Sequence, residues 1–209
     1  MKKAELLAIT GSLALLALLS TIAAADGSES NPFSASVELE KQQKYKESLE
    51  ELKKLSPAAS ESYLVHLRRG WLHYLLGANS DSIAAYTKAD AQHPKSVEAK
   101  LGLMMPQLAS KRWVDAQKTG MAILAIDPSN YLALSRVAYA LYSMARFQEA
   151  EQYYGKVLAL YPGDIDMRSG RAWSLLKLGR HQEAKKEFVY ILSVSPQHPA
   201  AVEGINLCP

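Results

Sequence analysis

The sequence predicts an all-α chain built from repeated units, and three observations carry that prediction. Pro94, Pro128, Pro162 and Pro196 recur at a constant interval of 34 residues, each after an amphipathic helical run. The contexts HP, DP, YP and SP differ, so the period belongs to the architecture rather than to one copied motif. From Leu132 to Ala145 only Ser135, Arg136 and Ser143 are clearly polar, so a helix there offers apolar side chains in more than one direction, as a helix inside a stack must.

The chain opens MKKAELLAITGSLALLALLSTIAAADGSES. A basic head at Lys2 and Lys3, an apolar run from Leu6 to Ala24, and Ala23 and Ala25 at the spacing signal peptidase accepts mark residues 1–25 as an export signal. The run is nearly long enough to span a bilayer, so an uncleaved membrane anchor is the alternative. Either way the remainder is expected outside the cytoplasm, in the periplasm or secreted, or anchored to the inner membrane with an extracytoplasmic domain. No cysteine follows the cleavage site, which argues against a lipid-anchored form. Membrane contact is expected only through this segment, and residues 26–31 form a linker.

The composition, 48% apolar and 22% charged over 209 residues, is that of an ordinary globular protein. A formal net charge of +3 gives no case for nucleic acid or an anionic membrane surface as partner. The single cysteine, Cys208, excludes an internal disulfide, so the fold is held by packing. Cys208 is expected to be a tolerated tail residue or a bridge between two copies.

Counting back from the prolines divides residues 32–198 among five units, 29–62, 63–96, 97–130, 131–164 and 165–198. The first is imperfect: KYKESLEELKKLSP places Tyr45, Ser48, Leu52 and Leu55 suitably, but its proline comes early, at Pro57. Residues 199–209 begin another helix and are expected to cap the stack, with Val202, Ile205 and Leu207 covering the apolar back of the last full helix around Val189, Tyr190 and Leu192.

With this period the chain resembles the tetratricopeptide repeat family, whose unit is a pair of antiparallel helices. The family prefers small residues at positions 8 and 20, an aromatic at 24 and a small or apolar residue at 27. Position 8 is Gly70, Met104, Ala138 and Ala172; position 20 is Ser82, Ala116, Ala150 and Ala184. Position 24 is Tyr86, Gly120, Tyr154 and Phe188, and position 27 is Ala89, Ile123, Val157 and Ile191. Small residues let the paired helices approach, while those at 24 and 27 fill the seam with the next unit. The resemblance implies a right-handed superhelical solenoid. The unit from Val97 departs most, with Met104, Gly120 and a first-helix Pro106 that should kink it. Arg69 and Arg171, at position 7, are expected to pack their stems and reach a carboxylate or carbonyl.

The resemblance also explains the overloaded helix. Leu134, Val137, Ala138 and Leu141 form one stripe that packs within the unit, and Leu132, Ser135, Tyr139 and Tyr142 form another roughly 120° away. In the family, positions 5, 9 and 12 help line a concave groove in which extended peptides or helices dock. Here that implies a partner-binding groove of Leu67, Trp71, Tyr74, Leu101, Met105, Leu108, Tyr139, Tyr142, Trp173 and Leu176. The cationic and amide side chains that some members use at positions 5 and 9 to clamp a C-terminal carboxylate are missing. Packing between adjacent first helices is the competing use of the same stripe.

Nothing in the sequence points to catalysis. The five histidines are scattered, and there is no glycine-rich phosphate loop, nucleophile elbow or HExxH. The expectation is a non-enzymatic scaffold or adaptor, with no metal and no cofactor. It binds a peptide or helix of an envelope protein, in assembly or maturation of an exported complex. A self-assembling homo-oligomeric scaffold is the alternative.

Overall fold

The computed structural model describes residues 31–208; the expected export signal or anchor, most of the expected linker, and Pro209 lie outside the described residues. Twelve α-helices make up the described chain: α1 (Pro32–Lys41), α2 (Tyr45–Glu51), α3 (Pro57–Ser60), α4 (Tyr63–Leu75), α5 (Asn79–Gln92), α6 (Val97–Ala109), α7 (Trp113–Leu124), α8 (Tyr131–Ser143), α9 (Phe147–Leu160), α10 (Ile165–Lys177), α11 (His181–Val194) and α12 (Pro199–Asn206). A 3-10 turn, Leu52–Lys54, follows α2. The helices pack as consecutive antiparallel pairs in a right-handed solenoid.

Each pair is turned by the same local chemistry. Residues 43, 77, 111, 145 and 179, all at position 15, adopt left-handed backbone with φ from 57° to 73°. Only Gly77 and Gly179 do so without a Cβ penalty; Gln43, Lys111 and Ala145 carry it. The next N–H reaches back to close the helix end, as Arg146 N does to the Leu141 carbonyl at 2.9 Å. At the other turn, Ser96, Asn130, Asp164 and His198 cap the following first helix by accepting the N–H three residues on. The residue before the proline leaves the helical region, with φ −131° at His93, Tyr161 and Ser195, and there the second helix ends.

Small residues do what the period requires. Ser82, Ala116, Ala150 and Ala184 are fully buried, and Ser82 donates to the Gly70 carbonyl at 2.7 Å, joining positions 20 and 8. Between units, the ring at position 24 lies across a glycine at position 6 of the next. A Cβ on Gly102 would sit 2.2 Å from Tyr86, one on Gly170 2.4 Å from Tyr154, and one on Gly204 2.2 Å from Phe188. Where position 24 is not aromatic, at Leu52 and Gly120, the facing position 6 is Arg68 or Arg136. At Gly120 the vacated space is taken by Val137 and Met104.

Other expectations resolve in detail. Pro106 does not interrupt α6, which is assigned continuously to Ala109; Pro106 gives no N–H to the Gly102 carbonyl, and in the same turn Arg136 donates to the Leu101 carbonyl. Pro57 divides the second half of the first unit into α2, the 3-10 turn and α3, whose N-cap is Ser56. Arg69 bonds Ser60, and Arg171 bonds Glu151 and Glu187.

The cap differs from expectation. Ala201, Gly204 and Cys208 share the buried face of α12, and Ile205 packs beside them. Val202 and Leu207 point away, because the helical period puts them on the other side, and Val189 and Tyr190 stay exposed. Cys208 is buried and hydrogen-bonds the Gly204 carbonyl, so a bridge between copies would require the last turn to open. Among the described residues, no helix is long and apolar enough to cross a membrane.

Candidate functional site

The first helices of successive units touch one another, α4 with α6, α6 with α8, α8 with α10 and α10 with α12, while no comparable contact joins two second helices. First helices therefore line the inner, concave side, and second helices spread on the outer side. Positions 5, 9 and 12 of α4, α6, α8 and α10 are half-buried or exposed except at Met105 and Ser169.

The ten groove residues expected from the sequence divide by burial. Tyr139 is the most open, 49% exposed, and packs edge-on against Trp113 with centroids 5.7 Å apart. Leu67, Trp71, Tyr74, Leu101, Leu108, Tyr142, Trp173 and Leu176 are partly buried. Met105 is a correction: at 8% exposure it belongs to the core with Tyr86 and Leu103, and Leu67, Trp71 and Tyr74 lean against that cluster. Its unbranched chain fills the wall between α4 and α6 instead of projecting from it. Most of these side chains are thus partly buried against the core and partly open to solvent.

The large rings are held at defined angles. Trp71 lies 5.9 Å from Tyr74, tilted by 30°, and its Nε1–H donates to Glu40 Oε1 at 2.6 Å. Glu40 also accepts from the buried Arg68, at 2.8 Å, while Arg68 Nε donates to Ser36 Oγ. Through this network the first unit fixes the indole that opens the groove. Tyr142 stands edge-on to Phe147 at 5.3 Å, and burial followed by the Glu203 carboxylate pushes its phenol up. At the far end Trp173 donates to the Ala200 carbonyl at 3.2 Å and packs against Phe188.

Sequence reasoning passed over Glu40, Trp113 and Arg136. Arg136 had a signal, since it occupies position 6, where three neighbouring seams carry glycine. Arg112, Arg146 and Arg180 stand at the turn and pair with the acid three residues on, as Arg146 does with Glu149 at 2.6 Å. Among the described residues, no group of three or more His, Cys, Asp and Glu side chains is arranged to hold a metal.

Stacked helix pairs with an inner wall of half-open rings define a helical-repeat solenoid protein. The chain belongs to the tetratricopeptide repeat family: two models of that repeat match residues 35–97 and 141–204, together more than half of the chain. The fold is similar to that of a tetratricopeptide repeat protein from Parabacteroides merdae ATCC 43184, at TM-score 0.75 and 19% identity over 84% of this chain and 70% of that one. It is also similar to MamA from Desulfovibrio magneticus RS-1, at TM-score 0.74 and 15% identity over 80% and 95%. MamA AMB-1 matches at TM-score 0.71 and 20% identity over 80% and 99%. No curated protein matches the sequence. Domains of this family are in general non-catalytic scaffolds that bind other proteins.

Proposed function

We propose that this chain is an exported, non-enzymatic adaptor that holds a peptide segment or helix of an envelope protein in its concave groove, in the assembly or maturation of an exported complex. The observation that carries the reading is the half-exposed ring of Tyr139, midway along a wall that also presents Trp71, Tyr74, Tyr142 and Trp173. Aromatic side chains supply much contact area for little rotamer entropy, so partly open rings on a rigid concave wall suit recognition. The opening residues 1–25 support export.

A photo-crosslinking residue in place of Tyr139, compared with one in place of Lys156 on the outer side, tests the reading. The expected result is a discrete protein crosslinked only from position 139 and lost in a Trp71→Ala, Trp173→Ala background whose helicity is unchanged. Crosslinks of equal yield from both positions would contradict it. The mass of the mature protein tests export, with cleavage after Ala25 expected.

A second reading, self-association, is favoured by the incompletely covered end of the solenoid, where Val189 is 52% and Val194 60% exposed and Val202 and Leu207 are open as well. Sedimentation over a range of concentrations, with Val194→Glu as the disrupting variant, decides it.

A further inference from the structure

Every other arginine among the described residues lies within 4.0 Å of a carboxylate. Arg136 does not. It stands partly buried on α8, and Nη1 donates to the Leu101 carbonyl on α6 at 2.8 Å. Nε and Nη2 have no acceptor among the described residues, yet neither is sealed from solvent. Burial holds its guanidinium below its ordinary value, while the phenols of Tyr74 on α4 and Tyr86 on α5 act in the opposite sense.

Position 6 tolerates a large side chain here because no ring leans across it from Gly120. Packing alone does not call for a guanidinium: an apolar chain of that length would fill the place without a charge to desolvate. The edge left open, Nε with Nη2, is the one that receives a carboxylate through two parallel hydrogen bonds.

We propose that Arg136 receives the side-chain carboxylate of an Asp or Glu in the segment bound in the groove, so that the recognised segment is apolar with one acidic residue. This rests on the groove reading and goes beyond it in naming the chemistry of the partner.

The test uses the full mature chain and two libraries of short apolar and aromatic peptides, amidated at the C-terminus, one with a fixed Asp and the other with Asn in its place. Wild type is expected to bind the Asp library about tenfold or more tightly, the usual size of a charge-assisted pair. Arg136→Met should remove the preference while leaving the thermal unfolding curve in place, and Arg136→Lys should keep part of it. Should the Met variant unfold, the Asp-to-Asn comparison on wild type and on Arg136→Lys still decides. Tyr139→Ala is expected to weaken both libraries. Equal binding of the two libraries, both weakened by Tyr139→Ala, would overturn the Arg136 assignment and leave the groove reading standing. No binding to either library, or binding indifferent to Tyr139→Ala, would overturn the groove reading and this proposal with it.

Discussion

The seam between α9 and α10 and the seam between α7 and α8 occupy equivalent places in the solenoid and are filled in opposite ways. At the first, Tyr154 reaches across the boundary and Gly170 makes room for it. At the second, Gly120 gives up the ring, Val137 and Met104 move into its space, and position 6 carries Arg136 instead of glycine. The missing volume is made up from both sides, by Met104 of the same unit and by Val137 of the next. A departure from the family pattern at one position is therefore answered partly at the small-residue position of its own unit and partly across the boundary. The ring-on-glycine seams are closed and apolar, whereas the arginine seams carry a guanidinium, Arg68 bonded to Glu40 and Ser36 and Arg136 to the Leu101 carbonyl.

Substitutions at the two kinds of seam sharpen this difference. The largest effect is expected for Phe188→Ala, which removes a fully buried ring from the last closed seam and should cost about 3–5 kcal/mol in urea unfolding. Arg68→Met should come next, at about 3 kcal/mol, because it leaves the partly buried Glu40 without its cation and loosens Trp71, whose fluorescence reports the change. Gly170→Ala tests the cradle by its sign: alanine in a helix interior normally gains about 1 kcal/mol over glycine, but here the new Cβ would meet Tyr154, so a loss of about 1–3 kcal/mol is expected. A gain would show that the ring moves freely and the seam is not close-packed. Ala145→Gly should give the smallest change, a stabilisation of about 1 kcal/mol, by relieving the left-handed backbone at the turn before α9.

The period of Pro94, Pro128, Pro162 and Pro196 was enough to read the helix pairs, because a proline after each second helix acts locally and leaves a mark at a fixed interval. First helices beginning at Tyr63, Val97, Tyr131 and Ile165 follow directly from it. The seams were harder to see, since Gly102, Gly170 and Gly204 have meaning only when matched to the ring of the preceding unit. Met105 and Tyr139 share position 9 and a helical face, yet one is buried and the other open. Their difference depends on the size of neighbours on adjacent helices, Trp71 and Tyr86 in one case and Trp113 in the other, which a single-helix pattern does not contain. Arg136 stood in plain view as a polar residue at position 6; that it has no carboxylate partner among the described residues is a property of the folded chain.

Hydroxyl-radical footprinting of the folded protein, read tyrosine by tyrosine, tests most directly whether the inner wall is open. Tyr139 is expected to oxidise rapidly while the seam residues Tyr86 and Tyr154 stay protected until the protein unfolds. Protection of Tyr139 equal to that of Tyr154 in the monomer would mean that the groove is closed in solution and that its rings serve packing.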